Sequence, residues 1–216
     1  MNLKFKLFVF TFLLALPKLY AQSDDYGVWI DLSADKKIKS GNLALNSEIY
    51  TKNNSQSLER ISIGLEGDYP INSFLTANAG YLLMNYKLSD SYEIRNRFFS
   101  TLSAKWHLSN FVFSHRERIQ LTRKPLPGDN VKNDLYWRNR FRVEYKKPGW
   151  KLTPSATVES FYSFGHSGSQ TIDEMRYSLA GKFKLSQNQG LRLYGLWADL
   201  VNKNFYVFGI EYEITL

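Results

Sequence analysis

The last eleven residues, YVFGIEYEITL, restrict the possible folds more than any other stretch. Tyr206, Phe208, Ile210, Tyr212, Ile214 and Leu216 alternate with Val207, Gly209, Glu211, Glu213 and Thr215. A period of two belongs to a strand, because successive side chains leave a β-backbone on opposite faces. One face is unbroken apolar and the other carries carboxylates, so each side of the sheet needs a different environment. The same alternation recurs along most of the chain. It sets Ile61, Ile63 and Leu65 against Arg60, Ser62 and Glu66, and Leu75, Ala77, Ala79, Tyr81 and Leu83 against Thr76, Asn78 and Gly80. It continues through 92–108, 136–146 and 175–185. No window has a helical period of comparable length, so the fold is all-β.

The amino terminus points to export. Lys4 and Lys6 precede an apolar run from Leu7 to Leu16, followed by Pro17 and the small Ala21. That three-part pattern predicts a secretory signal peptide over 1–21, leaving 22–216 as a single barrel domain. The apolar run is shorter than the roughly 20 residues a transmembrane helix needs. The chain has no Cys, which excludes lipoprotein processing, disulfides and thiolate metal sites. A formal net charge of +8 is spread over many segments without a nucleic-acid motif, so no nucleic-acid partner is expected. Aromatic residues make up 16% of the chain and lie largely on the apolar faces of the alternating segments.

Strands of this kind close into a barrel in one of two senses. In a soluble barrel the charged face meets water and the aromatics fill the lumen. In a membrane barrel the apolar face meets lipid and the charges point inward. The apolar faces carry more full-sized aromatics than a lumen of this strand number holds, which favours the second arrangement. The expected fold is therefore an antiparallel transmembrane β-barrel of 10 to 12 strands. Eleven candidate strands can be counted, but single-chain bacterial barrels have an even number. The segment 26–34, containing Trp29, would run the wrong way for a spanning strand, so ten is preferred to twelve. Short connections at 69–72, 107–110, 146–149 and 186–190 are expected to alternate with longer loops at 122–134 and 164–171. The closing strand is similar to the assembly signal of outer-membrane barrels, with Leu216 where Phe is more usual. The expected location is the bacterial outer membrane, with outer-membrane lipid and the barrel-assembly machinery as partners.

The polar faces are rich in paired charges. Glu93, Arg95 and Arg97 share one face, Arg116 and Arg118 another, and Arg138, Arg140, Arg142 and Glu144 a third. Glu159, Glu174, Arg176, Glu211 and Glu213 add opposite charge. Desolvated guanidinium groups need carboxylates, and their planar fork suits them. The structural reading is a lumen filled by a ladder of ion pairs, so truncating Arg140 should strand carboxylates and lower stability. The functional reading is a narrow constriction selecting small anionic solutes. Glu117 falls on the apolar face and is expected near a rim.

With these motifs in place, the chain resembles a family of Gram-negative outer-membrane barrels catalogued as domain of unknown function twenty-four-ninety. Trp29, Glu48, the GLEGDYPI turn region, the R-x-R strands at 95–97, 116–118 and 138–142 and the closing strand carry the resemblance. It implies fold and location but no catalytic residue and no cofactor. A lipid-modifying enzyme would need Ser, His and carboxylate together at the barrel's outer face. Ser114 and His115 point to opposite faces of one strand, and His166 with Ser167 or Ser169 lies in a loop. No paired-His spacing marks a metal site. Three classes stay open: a non-enzymatic barrel with a packed lumen, a narrow channel, and a lipid-modifying enzyme.

Overall fold

The computed structural model describes residues 24–125, 131–164, 171–201 and 203–216. The expected signal segment 1–21, the loop residues 126–130 and 165–170, and with them His166, Ser167 and Ser169, lie outside the described residues. Eleven strands follow in order: β1 Asp25–Ile38, β2 Gly41–Lys52, β3 Ser57–Pro70, β4 Leu75–Lys87, β5 Tyr92–Leu108 and β6 Phe111–Pro125. The second half comprises β7 Val131–Tyr145, β8 Leu152–Phe164, β9 Thr171–Lys184, β10 Gln189–Leu200 and β11 Lys203–Thr215.

Each strand pairs antiparallel with the next, and the sheet closes by a parallel ladder between β1 and β11, from Asp25 opposite Phe205 to Asp35 opposite Thr215. The strand number is eleven, within the expected range of 10 to 12 but not the even number that was preferred. The parity argument fails for a geometric reason. In an up-and-down meander of odd number the first and last strands run the same way, and a parallel ladder joins them at only slightly lower stability per residue. The Trp29 segment is a full barrel strand of this kind. Its direction looked wrong only because closure was assumed to be antiparallel.

The expected contrast in loop length shrinks because the hairpins continue into the loops. β6 and β7 pair as far as Pro125 opposite Val131, so most of 122–134 is strand rather than connection. Two bulges break the alternation. One lies between Tyr50 and Thr51 against β3, the other between Phe161 and Tyr162 against β9. A bulge gives one strand an extra residue and re-aims its side chains. Here it brings Glu59 beside Arg60, and Asp173 beside Glu174, to line the lumen.

Charges line the inside, and the outside is apolar. Leu45, Ile63, Leu65, Leu102, Leu179 and Phe208 are all outward-facing and exposed, Leu65 by 61%. Aromatic pairs gather toward both ends of the outer surface. Tyr26 stacks on Tyr206 and Tyr177 on Trp197 toward the end where β11 begins. Trp106, Phe113 and Phe141 cluster toward the opposite end. A 12-residue strand rising about 3.3 Å per residue at a tilt of about 40° gains about 30 Å along the barrel axis.

Inside, two glycines let aromatic rings lie flat against the wall. A Cβ at Gly209 would sit 1.9 Å from the Tyr194 ring, and one at Gly80 would sit 2.3 Å from the Phe99 ring. In each case the ring belongs to the direct cross-strand partner. The close approach gives the lumen rigid aromatic surfaces as well as charges.

Candidate functional site

The lumen holds a cavity of about 600 Å³ whose walls differ in charge. On β6 and β7, Arg116 stands directly opposite Arg140, and Arg118 directly opposite Arg138. The four arginines occupy consecutive inward positions, and their backbone positions make a square that Arg142 extends along β7. Like charges directly opposite each other across strands repel. The carboxylate nearest this square is Glu159 on β8, the direct cross-strand neighbour of Arg140.

Glu159 does not pair with that neighbour. Its Oε1 takes Arg116 Nη2 at 2.5 Å and Arg138 Nη2 at 3.0 Å, with Arg138 Nε at 3.2 Å. Arg116 reaches it across the whole width of β7. Arg138 also donates to Gln120 at 3.0 Å. Arg118 gives its Nε to Thr101 at 2.9 Å, and Arg142 gives its Nε to Thr157 at 3.2 Å. Arg140 has neither a hydrogen bond nor an ion pair among the described residues. The Nε of Arg116 is buried without a partner. Aromatic faces support several of these groups, with Arg118 4.0 Å from the Phe99 centroid and Arg138 and Arg176 at 4.2 and 4.3 Å from that of Phe161.

The wall formed by β10, β11, β1 and β2 is acidic and its carboxylates are engaged, while the Nε of Arg192 and the indole N–H of Trp29 are buried without a partner among the described residues. Glu211, Asp31 and Glu48 stand side by side on β11, β1 and β2. Glu211 takes Arg192 at 2.5 Å and Glu48 takes Arg60 at 2.7 Å. Asp31 accepts the Tyr50 hydroxyl at 3.1 Å, with the Tyr194 hydroxyl at 3.5 Å. Beside them Trp29, Tyr194 and Val207 form a buried apolar cluster, flanked by Tyr50, Leu196 and Phe205. Trp29 and Tyr50 stack at 4.3 Å.

The remaining charges expected from the sequence form local pairs. Arg95 bonds Glu93 on its own strand, and Arg176 bonds Glu174 at 2.6 Å in the same way. Glu144 has Lys146 at 3.3 Å and Arg142 at 4.0 Å. Glu213 pairs with Lys182 at 2.5 Å, and Arg97 bonds Thr122 at 3.0 Å rather than a carboxylate. The expectation that Arg140 holds a carboxylate is corrected: Arg116 and Arg138 occupy the oxygen it would have used. Sequence reasoning passed over Arg60, Asp31 and Arg192 as site residues. Each is an isolated charge in an apolar alternation, as in LRLYG, and lacks the R-x-R repeat that draws attention. It also placed the aromatics largely on the outer face, whereas Trp29, Tyr50, Phe99, Phe161 and Tyr194 line the lumen.

Glu117 is not at a rim. It is the seventh of the 15 residues of β6, at mid-height on the outward face. It is tolerated there because its carboxylate is saturated. Oε1 accepts His115 Nε2 at 2.6 Å and Asn139 Nδ2 at 2.6 Å, while Oε2 accepts the Trp137 indole N–H. This engages His115 with a carboxylate, while Ser114 lies on the other face of β6. Among the described residues no group of three or more His, Cys, Asp or Glu could hold a metal ion.

A profile described as Protein of unknown function (DUF2490) matches residues 26–204. The chain belongs to the DUF2490 family. The matched span begins in β1 and reaches the start of β11, so it covers β2 to β10 in full and every arginine of the β6–β7 wall, but not the closing ladder. The alternating residues 206–216 lie beyond it. No curated protein matches the sequence. For this DUF2490 barrel, function must be argued from its two faces.

Proposed function

We propose that the chain is a non-enzymatic outer-membrane β-barrel, exported with removal of 1–21, that seats its apolar outer face in lipid and keeps its charges inside. The observation that carries this reading is the inversion of faces. Large apolar side chains are exposed right round the outer wall, while Arg60, Glu159 and Arg192 are buried inside, each less than 10% exposed. Exposed apolar surface on this scale would drive aggregation in water. In lipid it is what a spanning strand requires, and closure removes the unpaired edges that hydrocarbon does not tolerate. The aromatic clusters toward both ends fit the two interfacial girdles of membrane barrels.

Within this reading the lumen is closed to free flow. Ion pairs link β6 and β7 to β8, β9 to β11, and β10 to β11, and the Trp29–Tyr194–Val207 cluster packs one side. A planar-bilayer recording of the refolded, heat-modifiable protein tests this. No steady conductance is expected. Reproducible openings whose ion selectivity changes in Arg140→Gln would instead make the cavity a conducting path for small solutes.

A further inference from the structure

We infer that the arginine square on β6 and β7 is a binding site for a small soluble solute carrying a multiply charged oxyanion, a phosphate group above all. Of the four arginines at consecutive inward positions, Arg116 and Arg138 share one carboxylate oxygen of Glu159, Arg118 and Arg140 have no carboxylate partner among the described residues, and Arg142 beside them has Glu144 at 4.0 Å. Buried charge is normally matched by opposite charge and hydrogen bonds. The opposite wall shows that this barrel can do so, since Arg60 and Arg192 each have a carboxylate of their own.

The unused donors are specific. Among the described residues the whole guanidinium of Arg140 is uncommitted. The terminal nitrogens of Arg118 are free above the Phe99 ring, and the Nε of Arg116 is buried without a partner. All three arginines line the 600 Å³ cavity, which is large enough for a phosphate with an organic body. Guanidinium forks from two strands suit the several oxygens of a tetrahedral anion and give short charge-assisted bonds. A monoanion would leave most of the repulsion in place. The acidic face of Asp31, Glu48 and Glu211 opposes the square, so the anion sits against β6–β7 and the far end of the solute is neutral or cationic. The barrel wall separates the square from the outer surface, so the headgroup of a surrounding lipid is not the source. The site depends on closure of the barrel and not on the membrane reading.

The test uses mature protein refolded in phosphate-free dodecyl maltoside, titrated with sodium pyrophosphate at an ionic strength held constant with NaCl. Calorimetry and thermal unfolding are read together. One saturable site is expected, with a melting temperature that rises with pyrophosphate and responds far less to acetate. Arg140→Gln and Arg118→Gln should each weaken binding by about tenfold or more, the loss of a charge-assisted contact. Arg140 has no structural partner, so its variant should fold. Lys182→Gln, whose cation is committed to Glu213, should bind as the wild type does. A folded, heat-modifiable barrel that shows no response beyond that of NaCl would overturn the assignment. So would binding that both arginine variants leave unchanged.

Discussion

The two walls of the lumen contain the same residue types and treat them in opposite ways. Along β10, β11, β1 and β2, Glu211 and Glu48 each hold one guanidinium, Asp31 takes tyrosine hydroxyls, and all three lie beside a packed cluster of Trp29, Tyr194 and Val207. Along β6, β7 and β8, five inward arginines have two carboxylates among the described residues, Glu159 for Arg116 and Arg138 and Glu144 at 4.0 Å from Arg142. The difference shows that a charged lumen is not one physical object. A matched wall holds the closing strands β1 and β11 in place. The other wall keeps repulsion that Glu159 and Glu144 relieve only in part, leaving room for an anion the chain does not itself supply.

The two walls should therefore answer mutation differently. Glu159→Gln has the largest expected effect, because it leaves Arg116 and Arg138 buried with no counter-charge. Breaking a buried pair this way costs about 3–5 kcal/mol. Unfolding in detergent by urea should show the loss, and pyrophosphate should partly restore it. Arg192→Gln on the matched wall should cost somewhat less, about 2–3 kcal/mol, since Glu211 is partly open to solvent. Anions should not rescue it. Gly209→Val drives a Cβ into the ring of Tyr194, and overpacking of that kind costs about 1–3 kcal/mol. Gly195→Ala on the same hairpin meets nothing within 4 Å and serves as the control. The smallest effect carries the most information. Arg140→Gln should raise stability by about 0.5–1 kcal/mol, because it removes a like-charge pair and breaks no bond. Equal destabilisation by Arg140→Gln and Arg192→Gln would erase the distinction between the walls.

Much of this was legible in the sequence because alternation is a local property. The phase of Ile61, Ile63 and Leu65 against Arg60, Ser62 and Glu66 assigned faces correctly, and the R-x-R strands put Arg116, Arg118, Arg138, Arg140 and Arg142 on one side. Partner choice was not legible, since it depends on register. Arg140 faces Glu159 across one ladder, yet Arg116 reaches over it to take the carboxylate. Closure was not legible either, because nothing local distinguishes a parallel from an antiparallel seam. Bulges shift the phase of the alternation, which hid the inward turn of Glu59 and Asp173. The adjacent Phe98 and Phe99 point to opposite faces, so aromatic content alone could not reveal the rings beneath the arginines. Glu117 at mid-height ran against the pattern. Its three donors come from β6 and β7 side chains that only the register brings together.

The inversion of faces can be measured most directly through the tryptophans. Trp106, Trp137, Trp150 and Trp197 are on the outside and exposed, while Trp29 is buried in the lumen at 6% exposure. The barrel should be refolded into vesicles of brominated phosphatidylcholine, alongside a variant that keeps only Trp29. Strong quenching of the wild type, with little quenching of the Trp29-only variant, is the result this account predicts. A wild-type barrel that folds with its tryptophans untouched by bromine would contradict it.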